Sequence, residues 1–126
     1  MTDNINPSHY KDGPFECIEL SRLLTSDWGQ AIQYCFRWQH KNGVEDLKKA
    51  LWFINDALSH NVPPIAAWNR EDACASEAKA DRLLEILATE NWADLGRFWL
   101  ELKHGTAWTV RLALAEKINE IEKEGK

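Results

Sequence analysis

The sequence lacks any long hydrophobic run. One of its longest apolar stretches, residues 50–54, falls far short of the ~20 residues that a membrane-spanning helix needs. The polar N-terminus also lacks the apolar core of a secretory signal peptide. We therefore expect a cytoplasmic protein that has no membrane partner.

Cysteine and clustered histidine are also scarce. The three cysteines form an odd, widely spaced set, which argues against a disulfide framework and against a paired-cysteine zinc site. The four histidines never lie three or four residues apart, so no simple helical metal pair exists. We predict no protein-bound metal centre and read the cysteines as reduced, mostly buried residues.

Several signatures of nucleotide and nucleic-acid chemistry are missing. The chain contains no GxxxxGK[ST] phosphate loop, no GxGxxG turn and no HExxH helix. Its net charge of -5 leaves no basic stripe with which to neutralise a duplex backbone. Duplex nucleic acid is therefore not expected as a partner, and any nucleotide chemistry would need an unusual site.

What is present is helical periodicity. Hydrophobic residues make up 44% of the 126 residues and charged residues 28%, which suits one globular core. Apolar residues recur at three- and four-residue steps, and no stretch alternates convincingly, so we predict an all-α fold of about six helices after a non-helical N-terminal segment. The predicted helices span about 15–25, 27–40, 44–60, 69–89, 92–104 and 106–124.

Turn and cap residues place the boundaries between these helices. Asp27 with Gln30 resembles a capping box, Gly43 ends the second helix, and Asn91 with Asp94 forms a possible cap pair. Prolines at 63 and 64 cannot continue a helix, so residues 61–68 form a linker. We expect a first region, 1–60, and a helical extension, 61–126, that packs on it.

One stripe on the third helix is predicted to face the core. It contains Leu47, Leu51, Ile54 and Leu58, which recur at helical spacing. The seven tryptophans are read mainly as core or oligomer-interface residues, because each has a large apolar body and a polar tip.

Four short segments, in order, resemble the family known as DUF3310. They read NPSHY from residue 6, ECIE from 16, GQAIQY from 29 and EDLKKALWF from 45, and the resemblance covers about residues 5–58. The family commonly has a small and basic run after its arginine, whereas this chain has Arg37-Trp-Gln-His-Lys-Asn-Gly43.

The resemblance implies a phage or prophage protein in the host cytoplasm. Some members of the family are described as nucleoside monophosphate kinases that lack the usual phosphate-binding loop. We therefore expect a nucleotide-binding protein, with possible kinase activity that uses Mg²⁺ carried by the nucleotide. The alternative is a non-catalytic phage protein that sequesters a host-defence nucleotide signal or inhibits a host protein.

Cations near the second inter-helix turn are the candidate phosphate ligands. Arg37 can offer a bidentate fork, and Lys41 and Lys48 can add point charges beside the N-terminus of the third helix. An alternative remains open, in which Arg37 pairs with a carboxylate of a neighbouring helix and the lysines are solvated.

Other candidates would complete the same pocket. Ser8, His9 and Tyr10 precede the first helix, where an imidazole and hydroxyls could act as general acid or base or contact a base. Glu16, with Glu19 on the same face, could hold magnesium through phosphate oxygens. The candidate catalytic residues are thus His9, Glu16 and Arg37.

Two tryptophans could form a stacking wall, and the C-terminal helices could form an assembly. Trp38 and Trp52 lie nearest the Arg37 cluster in sequence, and stacking a base is worth about 1–3 kcal/mol. The amphipathic helices after residue 61 are more than a small core needs, so we expect a homo-oligomer. Tyr10, His9, Glu16 and the tryptophans each also have a purely structural interpretation, as core, cap or surface groups.

Overall fold

A computed structural model describes residues 14–65 and 70–124, with side chains for 14–65 and 75–124. The described residues contain helices and turns but no strand, which confirms the all-α prediction. None of the described helices is both long and apolar enough to cross a membrane. The helices are α1 (Cys17–Ser21), α2 (Ser26–Arg37), α3 (Val44–Ser59), α4 (Arg70–Thr89), α5 (Gly96–His104) and α6 (Ala107–Glu124).

The helices before and after residue 61 share a single core. Helix α2 packs on α3, α3 on α6, α5 on α6, and α4 on α5. Phe36 of α2 lies 5.3 Å from the Trp92 ring and 6.4 Å from the Trp99 ring, so aromatic contacts join the two regions. Burying such side chains contributes about 1.5–3 kcal/mol each. The largest fully buried side chains include Trp28, Trp99, Phe36, Phe98, Leu20, Ile32, Leu47 and Ile54.

Two indole N–H groups donate hydrogen bonds to backbone carbonyls that lie far away in the sequence. Trp28 donates to the Val62 carbonyl at 3.0 Å, and Trp38 donates to the Ala93 carbonyl at 2.8 Å. Each bond satisfies a donor that would otherwise be costly to bury. The prediction that tryptophans fill the core therefore holds for some of them and not for others. Trp28 and Trp99 are buried, and Trp38 and Trp92 are partly buried. Trp52 and Trp108 are exposed, and Trp68 lies outside the residues whose side chains are described.

The predicted capping box at the start of α2 is wrong. The N-cap residue is Thr25, and no side chain caps the helix. Thr25 is used elsewhere, because its hydroxyl donates to the Pro63 carbonyl at 2.7 Å and its N–H donates to the Pro64 carbonyl at 2.8 Å. Asp27 lies inside the first turn of α2 instead. The start of α2 thus anchors the described part of the proline linker.

Helix α1 is shorter than the predicted 15–25 segment. It ends at Ser21, because the N–H groups of Leu23 and Leu24 bond to carbonyls three residues earlier rather than four. The predicted stop at Gly43 is confirmed, since this glycine has φ 62° and immediately precedes α3.

Asn91 and Asp94 do form a linked pair, but α5 begins later than predicted. Asn91 has φ 50°, its amide donates to Asp94 Oδ1 at 3.4 Å, and its Oδ1 accepts the Gly96 N–H at 2.7 Å. Ala93 and Asp94 also have positive φ, so the chain makes a short 3₁₀ turn before α5 starts. A Cβ at Gly96 would lie 2.6 Å from Asn91 Oδ1, so glycine is required for this cap.

The core stripe of α3 is rotated from the predicted one. Leu47 and Ile54 are fully buried as expected, but their buried companions are Ala50 and Ala57. Leu51 and Leu58 are only partly buried at the edge of the core. The rotation follows from packing, because α3 contacts α2 more extensively than α6 and presents its alanines where helices approach closely.

Replacing Asn91 with alanine should destabilise the protein by about 1–2 kcal/mol, because it removes a helix cap and places a Cβ residue in a left-handed conformation. Chemical denaturation measures this free energy of unfolding. Asn91→Gly should recover part of the loss by relieving the backbone, whereas Asn119→Ala, at an exposed site on α6, should change stability little. Equal effects of Asn91→Ala and Asn119→Ala would contradict the cap.

Candidate ligand site at the junction of α2 and α3

An ion pair joins the end of α2 to the start of α3. Arg37 Nε lies 3.8 Å from Asp46 Oδ2, and the Asp46 side chain is completely buried while that of Arg37 is 20% exposed. The Asn42 N–H donates to the same carboxylate oxygen at 3.3 Å, and Asp46 also lies in the first turn of α3, which favours negative charge. Among the described residues, no hydrogen-bond donor reaches Asp46 Oδ1.

Two buried thiols lie close to this ion pair. Burial raises the pKa of Cys17 to about 12, and the nearby Arg37 charge opposes part of that rise. Burial also raises the pKa of Cys35 well above its ordinary value, and the Cys17 and Asp46 charges add to the effect. Both thiols are therefore protonated and unreactive at neutral pH, as expected for buried cysteines.

Aromatic rings and cations form an outer surface beside the ion pair. The Arg37 guanidinium carbon lies 4.6 Å from the Tyr34 ring centroid, and Lys49 Nζ lies 5.7 Å from it. Phe53 stacks with Tyr34 at 5.9 Å and 18°, and Trp52 meets Phe53 edge-on at 5.1 Å. We call these five residues the aromatic–cation surface.

Trp52 and Lys49 are the accessible members of the aromatic–cation surface. The Trp52 side chain is 61% exposed although it is a large apolar group, and Lys49 is also exposed. A flat base can stack on an indole, while ammonium and guanidinium groups attract phosphate. The surface therefore offers the two kinds of contact that a nucleotide requires.

The predicted cations separate into two groups. Arg37 belongs to the aromatic–cation surface, and Lys41 is exposed four residues later in the same turn. Lys48 instead faces α6, where its Nζ lies 2.8 Å from Glu122 and 3.7 Å from Glu45. Because Lys48 follows Asp46 by two positions, it lies on the opposite side of α3 from Arg37.

The two tryptophans that were predicted to stack on a base, Trp38 and Trp52, also lie in different environments. Trp52 is exposed and belongs to the aromatic–cation surface, whereas Trp38 is partly buried against the core and donates to the Ala93 carbonyl. The Trp38 indole is thus held toward the 3₁₀ turn before α5. Of the predicted pair, Trp52 alone has most of its ring open to solvent.

The remaining candidates lie at or before α1. Ser8, His9 and Tyr10 are outside the described residues. Glu16 is half-buried at the N-cap position of α1, and its carbonyl accepts the Glu19 N–H at 2.9 Å. No group of three metal-ligating side chains occurs in the part of the chain that the structure describes.

Four residues at the junction of α2 and α3 were not predicted from the sequence to belong to the site. Tyr34, Asp46, Lys49 and Phe53 were not assigned to the site, although Tyr34 and Arg37 are three apart and Lys49 and Phe53 are four apart on their helices. Those spacings place each pair on one helix face. The missing information was the packing of α2 on α3, which brings the two faces together.

A second polar cluster lies near the other ends of α2 and α3. His60 Nδ1 lies 2.8 Å from the Asp56 carbonyl oxygen and 3.5 Å from its carboxylate. The hydrogen bond to the Asp56 carbonyl, and then the carboxylate charge, raise the pKa of His60. Burial raises the pKa of Asp27, and the Asp56 side chain raises it further through a hydrogen bond and its charge.

Within its described residues the protein is therefore helical, with an aromatic and cationic surface between two helices. Residues 5–55 match the family model DUF3310, which is described as a protein of unknown function. This match confirms the resemblance that was predicted from the sequence. It covers less than half of the chain, and it includes the whole aromatic–cation surface. No curated protein and no solved structure shows significant similarity to the chain.

Replacing Asp46 with alanine should cost about 3 kcal/mol of unfolding free energy, because Arg37 would lose its buried partner. Glu45→Ala is the matched control, since it removes an exposed acid from the adjacent position and should cost less than about 0.5 kcal/mol. In a double-mutant cycle with Arg37→Met, the two losses should not add. Additive losses would show that the residues do not interact.

Asp27→Asn should raise the melting temperature at pH 7 slightly, because it removes a carboxylate whose ionisation the folded state opposes. A raised folded-state pKa contributes stability below the ordinary pKa of Asp and loses it as the pH rises. The advantage of the variant should therefore disappear in acid. Melting curves across pH test this, with Asp81→Asn on α4 as the control, and a constant difference at all pH values would contradict it.

Proposed function

We propose that the aromatic–cation surface binds a nucleotide. The observation that carries the proposal is the placement of the exposed Trp52 indole beside Lys49 and the Arg37 guanidinium, all on one side of the α2–α3 pair. An exposed indole, a flexible ammonium and a planar guanidinium provide a stacking face and phosphate ligands.

The nucleotide would bind with its base on Trp52 and its phosphates toward the turn between the helices. Lys49 and Lys41 supply mobile charges there, whereas Arg37 is oriented by Asp46 and Tyr34. The Arg37 guanidinium adds a permanent positive charge next to the Tyr34 ring. The α3 N-terminus adds a favourable dipole.

The family resemblance extends this proposal to phosphoryl transfer. A nucleoside monophosphate kinase at this site would depend on positioning and charge neutralisation, with His9 and Glu16 as candidate proton-transfer groups. Mg²⁺ bound to the phosphates would supply further charge neutralisation. The competing proposal is a phage protein without catalytic activity, which binds a host-defence nucleotide or a host protein in the cytoplasm.

Binding is tested by isothermal titration with a panel of nucleoside mono-, di- and triphosphates, with and without Mg²⁺. Trp52→Ala should weaken binding by a factor equivalent to about 1–3 kcal/mol, and Lys49→Gln by about tenfold, because they remove the stacking face and a phosphate charge. ADP release in the presence of ATP and each monophosphate then distinguishes a kinase from a non-catalytic nucleotide-binding protein.

The chain offers a matched control for each variant. Trp108→Ala removes an indole of similar exposure from α6, and Lys48→Gln removes the neighbouring lysine that faces Glu122. Neither should change nucleotide affinity. Failure of every nucleotide to bind, or equal losses in the controls, would end the proposal.

A further inference from the structure

We infer that Asp56 selects the base of the bound nucleotide, so that bases with an exocyclic amino group bind more tightly than uracil or thymine. This inference rests on the proposed nucleotide site and names the class of its ligand. The observation that carries it is the order of side chains on α3, where Lys49, Trp52 and Asp56 follow one another at intervals of about one helical turn. Lys49 and Trp52 already belong to the aromatic–cation surface, and Asp56 extends it.

The three side chains are neighbours on the surface of α3. Residues three or four positions apart on a helix have their Cβ atoms about 5–6 Å apart. Side chains on a helix also lean toward its N-terminus, so the Asp56 carboxylate is directed toward the turn that contains Trp52. The Trp52 ring meets the Phe53 ring edge-on at 5.1 Å, and Phe53 stacks on Tyr34 of α2. The indole therefore lies toward the α2 side of α3.

Contacts with α2 place Lys49 and Asp56 along the same seam between the two helices. Lys49 Nζ lies 5.7 Å from the centroid of the Tyr34 ring, and the Asp56 carboxyl group interacts with that of Asp27. Asp56 follows Lys49 by seven positions on α3, and Tyr34 follows Asp27 by seven positions on α2. The two contacts are therefore matched in antiparallel order, about 10 Å apart along the helix axes, and the aromatic rings lie between them.

The seam has opposite charges at its two ends. Arg37 and Lys49 lie at the end near the turn between α2 and α3, and Asp27 and Asp56 lie at the other end. A nucleoside 5′-phosphate has a matching polarity, because its phosphates and the hydrogen-bonding edge of its base lie at opposite ends of the molecule. With the phosphates at the cationic end, a base that stacks on Trp52 directs its edge toward Asp56.

Asp56 is accessible and retains hydrogen-bonding capacity. Its side chain is 34% exposed. His60 Nδ1 lies 3.5 Å from Asp56 Oδ1, but its shorter contact, at 2.8 Å, is with the Asp56 backbone carbonyl. A carboxylate has about four acceptor positions on its two oxygens. Asp56 therefore has the capacity to accept an N–H group of a ligand in addition to its contacts with His60 and Asp27.

A carboxylate distinguishes bases by the groups on their edges, because it accepts hydrogen bonds and does not donate them. Adenine, cytosine and guanine each present an amino group, and carboxylates accept from the cytosine amino group where proteins read nucleic acids. Uracil and thymine have a carbonyl oxygen at the position of the cytosine amino group, and two acceptors that face each other repel. A base without an amino group therefore loses an attractive contact with Asp56 and gains a repulsive one.

Isothermal titration of the full chain with CMP and UMP tests this preference. The two nucleotides share their ribose and phosphate, and at position 4 of the base CMP has an amino group where UMP has a carbonyl oxygen. CMP should bind at least about fivefold more tightly than UMP. Equal affinities, or tighter binding of UMP, would overturn this inference and leave the nucleotide site in place. Failure of every nucleotide to bind would overturn both proposals.

Asp56→Asn tests whether Asp56 is the residue responsible. An asparagine amide both donates and accepts hydrogen bonds, so the ratio of the UMP and CMP dissociation constants should fall to about one. Asp81→Asn removes an exposed carboxylate from α4 and should keep the wild-type ratio. Each ratio compares two ligands on the same protein, so a small loss of stability in a variant cancels, and circular dichroism checks that both variants fold. A preference for CMP that persists in Asp56→Asn would overturn the assignment.

Discussion

The buried carboxylate of Asp46 is the constraint on which the α2–α3 junction depends. A charge that is removed from water needs compensation, and Arg37, the Asn42 N–H and the α3 N-terminus provide it. These contacts tie the end of α2 to the start of α3 across the Gly43 turn. They also hold the guanidinium over Tyr34, so one buried acid orients the most important cation of the outer surface.

The region after residue 61 supports this junction from outside the part that matches DUF3310. Trp38 donates to the Ala93 carbonyl, Phe36 packs on Trp92, and Lys48 is held by Glu122 of α6. Helix α3 is therefore fixed on two sides, by α2 and by α6, and its remaining face is open to solvent. The exposed Trp52 lies on that open face, where its ring is accessible to a ligand.

Much of the fold could be predicted from the sequence because helix formation is governed by local periodicity and by turn residues. All six helices were predicted, and Gly43 ends the second helical segment as expected, because glycine accepts the left-handed conformation there. Cap assignments were less successful. Thr25 displaced Asp27 as the cap residue because a tertiary contact with the Pro63 and Pro64 carbonyls fixed the start of the helix two residues earlier.

The candidate site was harder to predict, because it depends on the packing of two helices. The sequence left open whether Arg37 binds phosphate or pairs with a carboxylate, and the structure supplies the carboxylate, Asp46. Lys48 and Lys49 are adjacent in sequence, yet one faces α6 and the other Tyr34. Predicting that difference requires knowledge of how α3 is rotated about its axis. The rotation depends on whether the alanines or the leucines of α3 pack against α2.

The most direct test of a nucleotide site on the aromatic–cation surface is a two-dimensional NMR titration of the tryptophan indole N–H signals. With a bound nucleoside triphosphate, the account predicts that the Trp52 signal shifts in a saturable way while the Trp108 signal stays in place. A shift of Trp108 without Trp52, or no shift of either under conditions where a nucleotide is bound, would contradict it.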